Sequence, residues 1–171
     1  MKKSFWSYFG AHLAVLICLT GCSTVAPVAP GDSDAQVIAT LGQPTARYQD
    51  GDQQMLEYRR GPAGQQTYMA RIGADGHLIS YEQVLSMQKF GTIKIGEATK
   101  ADVLRTVGQP AEVSTLTLRQ LEVWSYRYKE NNVWNSMMHV HFDKSGIVRQ
   151  MLNGPDPRYE EHEHSRSDGR R

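Results

Sequence analysis

Residues 35–44 read Ala-Gln-Val-Ile-Ala-Thr-Leu-Gly-Gln-Pro, and residues 101–110 read Ala-Asp-Val-Leu-Arg-Thr-Val-Gly-Gln-Pro. Six of the ten positions are identical at an offset of 66. Self-similarity at a fixed spacing marks an internal repeat. In each copy three apolar residues fall at helical spacing: Val37, Ile38 and Leu41, then Val103, Leu104 and Val107. Asp32 or Ser33, and Thr99, stand where an N-cap oxygen is wanted. Gly42 and Gly108 sit where a helix ends in backbone of positive φ, and Pro44 and Pro110 forbid its continuation. The spacing predicts short helices over Ser33–Leu41 and Lys100–Val107.

Strand-like segments follow each helix. Val123–Tyr128 is aromatic and β-rich, and Val133–Phe142 alternates with Met138, Val140 and Phe142 on one face. Asp143-Lys-Ser-Gly146 reads as a turn, with Ile147–Met151 pairing back as a hairpin. The counterparts in the first copy are Met55–Arg60, Thr67–Ile72, the turn Ala74-Asp75-Gly76, and His77–Val84. A short helix followed by an antiparallel meander, twice over, gives an α+β fold of two tandem repeats. The expected boundaries are 33–90 and 91–153. Val37, Leu41, Val103, Leu104 and Val107 are expected to pack on Leu56, Ile79, Trp124, Val140, Phe142 and Val148.

The order of these motifs resembles the SmpA/OmlA, or BamE-like, outer-membrane lipoprotein family, whose fold is related to the repeats of β-lactamase inhibitor proteins. The second copy carries the likeness in Ile95-Gly96, Ala98-Thr99-Lys100-Ala101-Asp102-Val103, Gly108-Gln109-Pro110, Trp124, Phe142 and Gly146-Ile147-Val148. The first carries it in Val37, Leu41-Gly42-Gln43-Pro44, Tyr58 and Asp75-Gly76. The resemblance covers roughly 33–153 and implies a protein-interaction module of the envelope, with outer-membrane assembly machinery as one possible partner. The single-repeat assembly factor has one such unit, whereas this chain has two.

The N-terminus agrees with export. Lys2 and Lys3 precede an apolar run from about Ala11 to Leu19, too short to span a bilayer as a finished helix. Leu19-Thr20-Gly21-Cys22 resembles the lipobox of bacterial lipoproteins. That resemblance implies a signal peptide over 1–21, diacylglycerol on the Cys22 thiol and an acyl chain on its new amine. Ser23, rather than Asp, implies sorting to the periplasmic face of the outer membrane. Two or more acyl chains hold a protein firmly on a membrane. The only other cysteine, Cys18, leaves with the signal, so a mature chain of 150 residues has no thiol for a disulfide, a metal or a nucleophile. Residues 22–32 read as a Pro/Ala linker holding the domain off the membrane, and 154–171 as a disordered charged tail.

The remaining constellations are sparse. The net charge of +1 is spread without a basic stripe, so no nucleic-acid partner is expected. No Gly-x-Ser-x-Gly, phosphate loop or positioned carboxylate pair is present, and the chain is expected to be a binding or scaffolding protein without a cofactor other than lipid. Tyr126, Tyr128 and Trp134, with Tyr58 in the first copy, are the candidate partner-binding residues, because aromatics anchor interfaces. The same tyrosines could instead lie in the core beneath the helix. His139 and His141 share a strand face with Asp143 and form a weak candidate metal site, against the plainer reading of a solvated face. Inhibition of a periplasmic enzyme is the other alternative.

Overall fold

The computed structural model describes residues 27–61 and 64–159. The signal segment and Cys22 lie outside the described residues. The fold is α+β: two four-stranded antiparallel sheets with a few short helices. Helix α1 (Asp34–Leu41) precedes β1 (Ala46–Asp50), β2 (Gln53–Arg60), β3 (Gln66–Ile72) and β4 (Leu78–Gln83). A single turn, α2 (Met87–Phe90), leads to α3 (Lys100–Val107). The strands β5 (Glu112–Leu116), β6 (Leu121–Glu130), β7 (Trp134–Phe142) and β8 (Val148–Pro155) complete the chain. Both sheets are meanders in sequence order, β1-β2-β3-β4 and β5-β6-β7-β8.

The caps explain where the helices start and stop. Ser33 closes a capping box with Gln36, and Thr99 closes one with Asp102, so each satisfies orphan N–H groups of the first turn. Gly42 and Gly108 then turn the chain at φ of 85° and 81°. Arg60 of β2 donates its Nη2–H to the Leu41 carbonyl at 2.7 Å, tying the end of α1 to its own sheet. The backbone network around each helix start is the same in both halves. Asp34 N–H donates to Gly76 O and Lys100 N–H to Gly146 O. Leu78 N–H donates to Asp32 O and Val148 N–H to Ala98 O. A register shift falls at Arg71/Ile72 in β3 and at His141/Phe142 in β7.

Val37 of α1 is buried with Leu56, Tyr58, Ala70, Ile72 and Leu78. Val103 and Val107 of α3 are buried with Trp124, Tyr126, Tyr128, Val140, Phe142 and Val148, and α2 adds Phe90. Period-two alternation puts those strand residues on one face. A smaller cluster of Met55, Met69 and Val84 lies on the opposite face of the first sheet. There the second half docks. Glu57 of β2, with no exposed surface, accepts the Gln109 backbone N–H at 3.1 Å and the Tyr48 hydroxyl. A Cβ on Gly108 would stand 2.9 Å from the Glu57 carboxylate and 3.0 Å from Thr67, so only glycine allows this approach.

Several expectations need correcting. Ile79 is 47% exposed, and Leu78 occupies the core instead, because the register shift in β3 puts Leu78 opposite Ile72. Residues 28–32 are not a free linker: Val28 is buried in the first core, and Gly31 N–H donates to Leu78 O at 2.8 Å. The tail does not begin at 154, since β8 runs to Pro155 and Asp156 is wholly buried. Strands β1 and β5 and the turn α2 are elements that the sequence pattern did not yield. β5 has no buried residue and β1 none either, so neither carries an alternating apolar signal.

Candidate functional site

The structure separates the four candidate aromatics. Tyr126, Tyr128 and Tyr58 are buried, with Tyr126 and Tyr128 directly under α2 and α3. The Tyr126 hydroxyl donates to the Gly108 carbonyl at 3.1 Å, and the Tyr128 hydroxyl to Asn153 Oδ1 at 2.9 Å. Phe90 meets both rings edge-on, at centroid distances of 5.6 and 5.4 Å. Burial raises both phenols above their ordinary pKa, Tyr128 to about 12. These three tyrosines therefore hold the fold and offer no partner-binding surface. Helix α3 and Phe90 cover the face on which alternation placed Tyr126 and Tyr128.

Trp134 is different. It is 65% exposed, and the adjacent Val133 is 62% exposed. Both stand at the tip of the β6–β7 hairpin, where Asn131 and Asn132 adopt φ of 50° and 59°. Asparagine tolerates that left-handed backbone better than most residues, so the tip has a defined shape. Ser136 and Asn153 both donate to Glu130 Oε2, at 2.8 and 3.0 Å, and fix the base of the hairpin. Those bonds hold the Glu130 carboxyl below its ordinary pKa. Gln65 of the β2–β3 loop donates to Asn135 Oδ1 at 2.9 Å and ties the hairpin to the first half.

Beside this tip lies a groove of about 790 Å³, lined by Gln66, Tyr68, Gln83, Ser86, Gln88, Lys129 and Asn132. The register places Gln83 opposite Tyr68, and Gln66 shares their face. Tyr68 is half-buried and stacks on Tyr81 at 5.2 Å. A second cleft, of about 310 Å³, lies between the back of the first sheet and the helices α2 and α3. Its charges neutralise one another: Arg71 and Arg105 reach Asp50 at 3.3 and 3.7 Å, and Lys89 reaches Glu82 at 2.8 Å. An ionic ligand there would have to break existing pairs.

His139 and His141 lie on the outer face of the second sheet, as alternation requires. His139 Nδ1 is committed to Ser125 Oγ at 2.8 Å. His141 is buried, and desolvation, then His139 and Arg119, push its pKa down. No group of three His, Cys, Asp or Glu side chains suited to a metal occurs among the described residues. Cys22 lies outside the described residues. The sequence reading missed Gln66, Gln83, Gln88 and Asn132, because isolated amides at strand ends, in a single helical turn and in a hairpin tip form no motif. It also missed Glu57, whose only signal was a carboxylate beside the aromatic Tyr58 in a strand.

No family model matches this chain, and no curated protein matches it. Among solved structures it is similar to a DUF4309 family protein of Bacillus subtilis, at 14% identity over 72% of this chain and 78% of that one. The TM-score is 0.32. No helix among the described residues is long and apolar enough to cross a membrane.

Proposed function

We propose that this chain is a lipoprotein anchored through Cys22 to the outer membrane, and that it acts as a protein-interaction or scaffolding module in envelope assembly or maintenance. Its body comprises two tandem SmpA/OmlA-like units, each a short helix packed on an antiparallel sheet. The matching caps, backbone bonds and register shifts of the two halves support that duplication. Trp134 carries the interaction reading. A tryptophan exposed to this extent on a shaped hairpin is the kind of residue that anchors protein interfaces. A tethered module brings such an anchor to the envelope surface without chemistry of its own.

The test is a photo-crosslinking amino acid at position 134 in intact cells, followed by mass spectrometry of the adducts. A defined envelope protein should be captured from position 134 and not from an exposed position such as 79. Capture of nothing, or the same background from both positions, would remove Trp134 as an anchor. Membrane tethering is tested separately: a Cys22→Ser chain that stays membrane-bound and is processed normally would rule out the lipid anchor.

A further inference from the structure

We infer that the groove beside the β6–β7 hairpin is a binding site for a neutral oligosaccharide. The inference does not depend on what Trp134 contacts. Its first support is the chemistry of the lining. Gln66, Gln83, Gln88 and Asn132 contribute four carboxamides, and Ser86 and Tyr68 contribute two hydroxyls, with no carboxylate among the lining residues. A carboxamide presents a donor pair and an acceptor on one planar group, which matches vicinal sugar hydroxyls that both give and take hydrogen bonds. The single cation, Lys129, is too little to select an anion over a neutral ligand.

The second support is a positioned ring. Tyr68 is held by its stack on Tyr81, with an interplanar angle of 19°. A half-buried ring locked on one side offers a rigid apolar platform for the C–H face of a pyranose. The third is pre-organisation. The walls come from β3, β4, α2 and the β6–β7 hairpin, and the Gln65–Asn135 bond joins the two halves at this end. The volume of about 790 Å³ lies within the range of small-molecule sites.

Titration of the full ¹⁵N-labelled chain tests this, because the side-chain amide signals of Gln66, Gln83, Gln88 and Asn132 report the groove directly. The probes are maltotriose, cellotriose and tri-N-acetylchitotriose at millimolar concentration, with a neutral Gly-Ser peptide and inorganic phosphate as controls. At least one sugar should shift those four amides saturably, and the controls should not. Gln66→Ala and Gln88→Ala replace exposed residues and should leave folding intact while weakening sugar binding. Tyr68→Ala should weaken it by about tenfold. Ile79→Ala, at an exposed position that does not line the groove, should leave it unchanged. No saturable shift with any of the three sugars, shifts matched by the peptide or phosphate, or binding unaffected by Gln66→Ala and Gln88→Ala would each overturn the assignment.

Discussion

Glu57 on β2 accepts the backbone N–H of Gln109 across the seam between the two sheets. Both residues that bracket this bond, Gly108 and Pro110, belong to a motif that also occurs at Gly42-Gln43-Pro44, where the glycine has open space around it.

That contrast yields a paired mutation. Gly42→Ala meets nothing within 4 Å, so it suffers only the positive φ of 85° and should cost about 1 kcal/mol. Gly108→Ala has a similar φ of 81° but drives a methyl into Glu57 and Thr67, and should cost about 3 kcal/mol. Urea midpoints of the two variants measure the difference. Equal losses would mean that the seam yields to the methyl without resistance.

Burial raises the pKa of Glu57, against the bonds from Tyr48 and Gln109 and the charge of Arg59, which lower it. An unfolded chain ionises this carboxyl near pH 4.3, whereas the folded one holds its proton to higher pH. The group's contribution to stability is thus complete below the unfolded value and is lost as pH rises through the folded one. Glu57→Gln should flatten that decline in chemical-denaturation curves taken across the pH range. Glu57→Ala should lose about 3 kcal/mol, because it leaves the Tyr48 hydroxyl and the Gln109 N–H unpaired beside a void. A Glu57→Gln protein with an unchanged pH profile would show that folding does not shift the titration of this carboxyl.

His141 behaves in the opposite direction. Its folded pKa is depressed, so its contribution is present above about pH 6.5 and lost as pH falls through the depressed folded value. His141→Gln should reduce the acid-side slope of stability by up to one proton. The slope is read from unfolding midpoints at a series of pH values, and an identical slope in the variant would clear His141 of any part in it.

Arg127 lies 3.3 Å from the buried Asp156 and also pairs with Glu112. Removing the buried Asp156 carboxyl therefore strands part of the Arg127 guanidinium. Asp156→Ala should destabilise the protein by about 2–3 kcal/mol, less than a full buried pair because Glu112 remains. Thermal unfolding checks this, and a change within about 0.5 kcal/mol would mean that Arg127 finds water or Glu112 alone sufficient.

Much of the fold was legible because it rests on local signals. The caps Ser33 and Thr99, the glycines after each helix and the alternation of β7 are each set by neighbours within a few residues. The candidate site was legible only at Trp134, which opens a run of alternating residues just past the turn. Alternation put Tyr126 and Tyr128 on one face correctly but could not tell whether a helix covered that face. That depends on where α3 returns, some twenty residues earlier in the chain. The groove is built from four elements, and no local pattern announces that Gln66 and Asn132 line one space.

Val28 is already seated in the first core, six positions beyond Cys22. Six extended residues reach about 20 Å at most. If the Cys22 thiol carries acyl chains, α1 and its sheet ride on the headgroups like a boat moored bow-tight. A periplasmic ligand must then approach from the sides or from the distal half, and lengthening the stretch between positions 23 and 27 would be the way to give the domain slack.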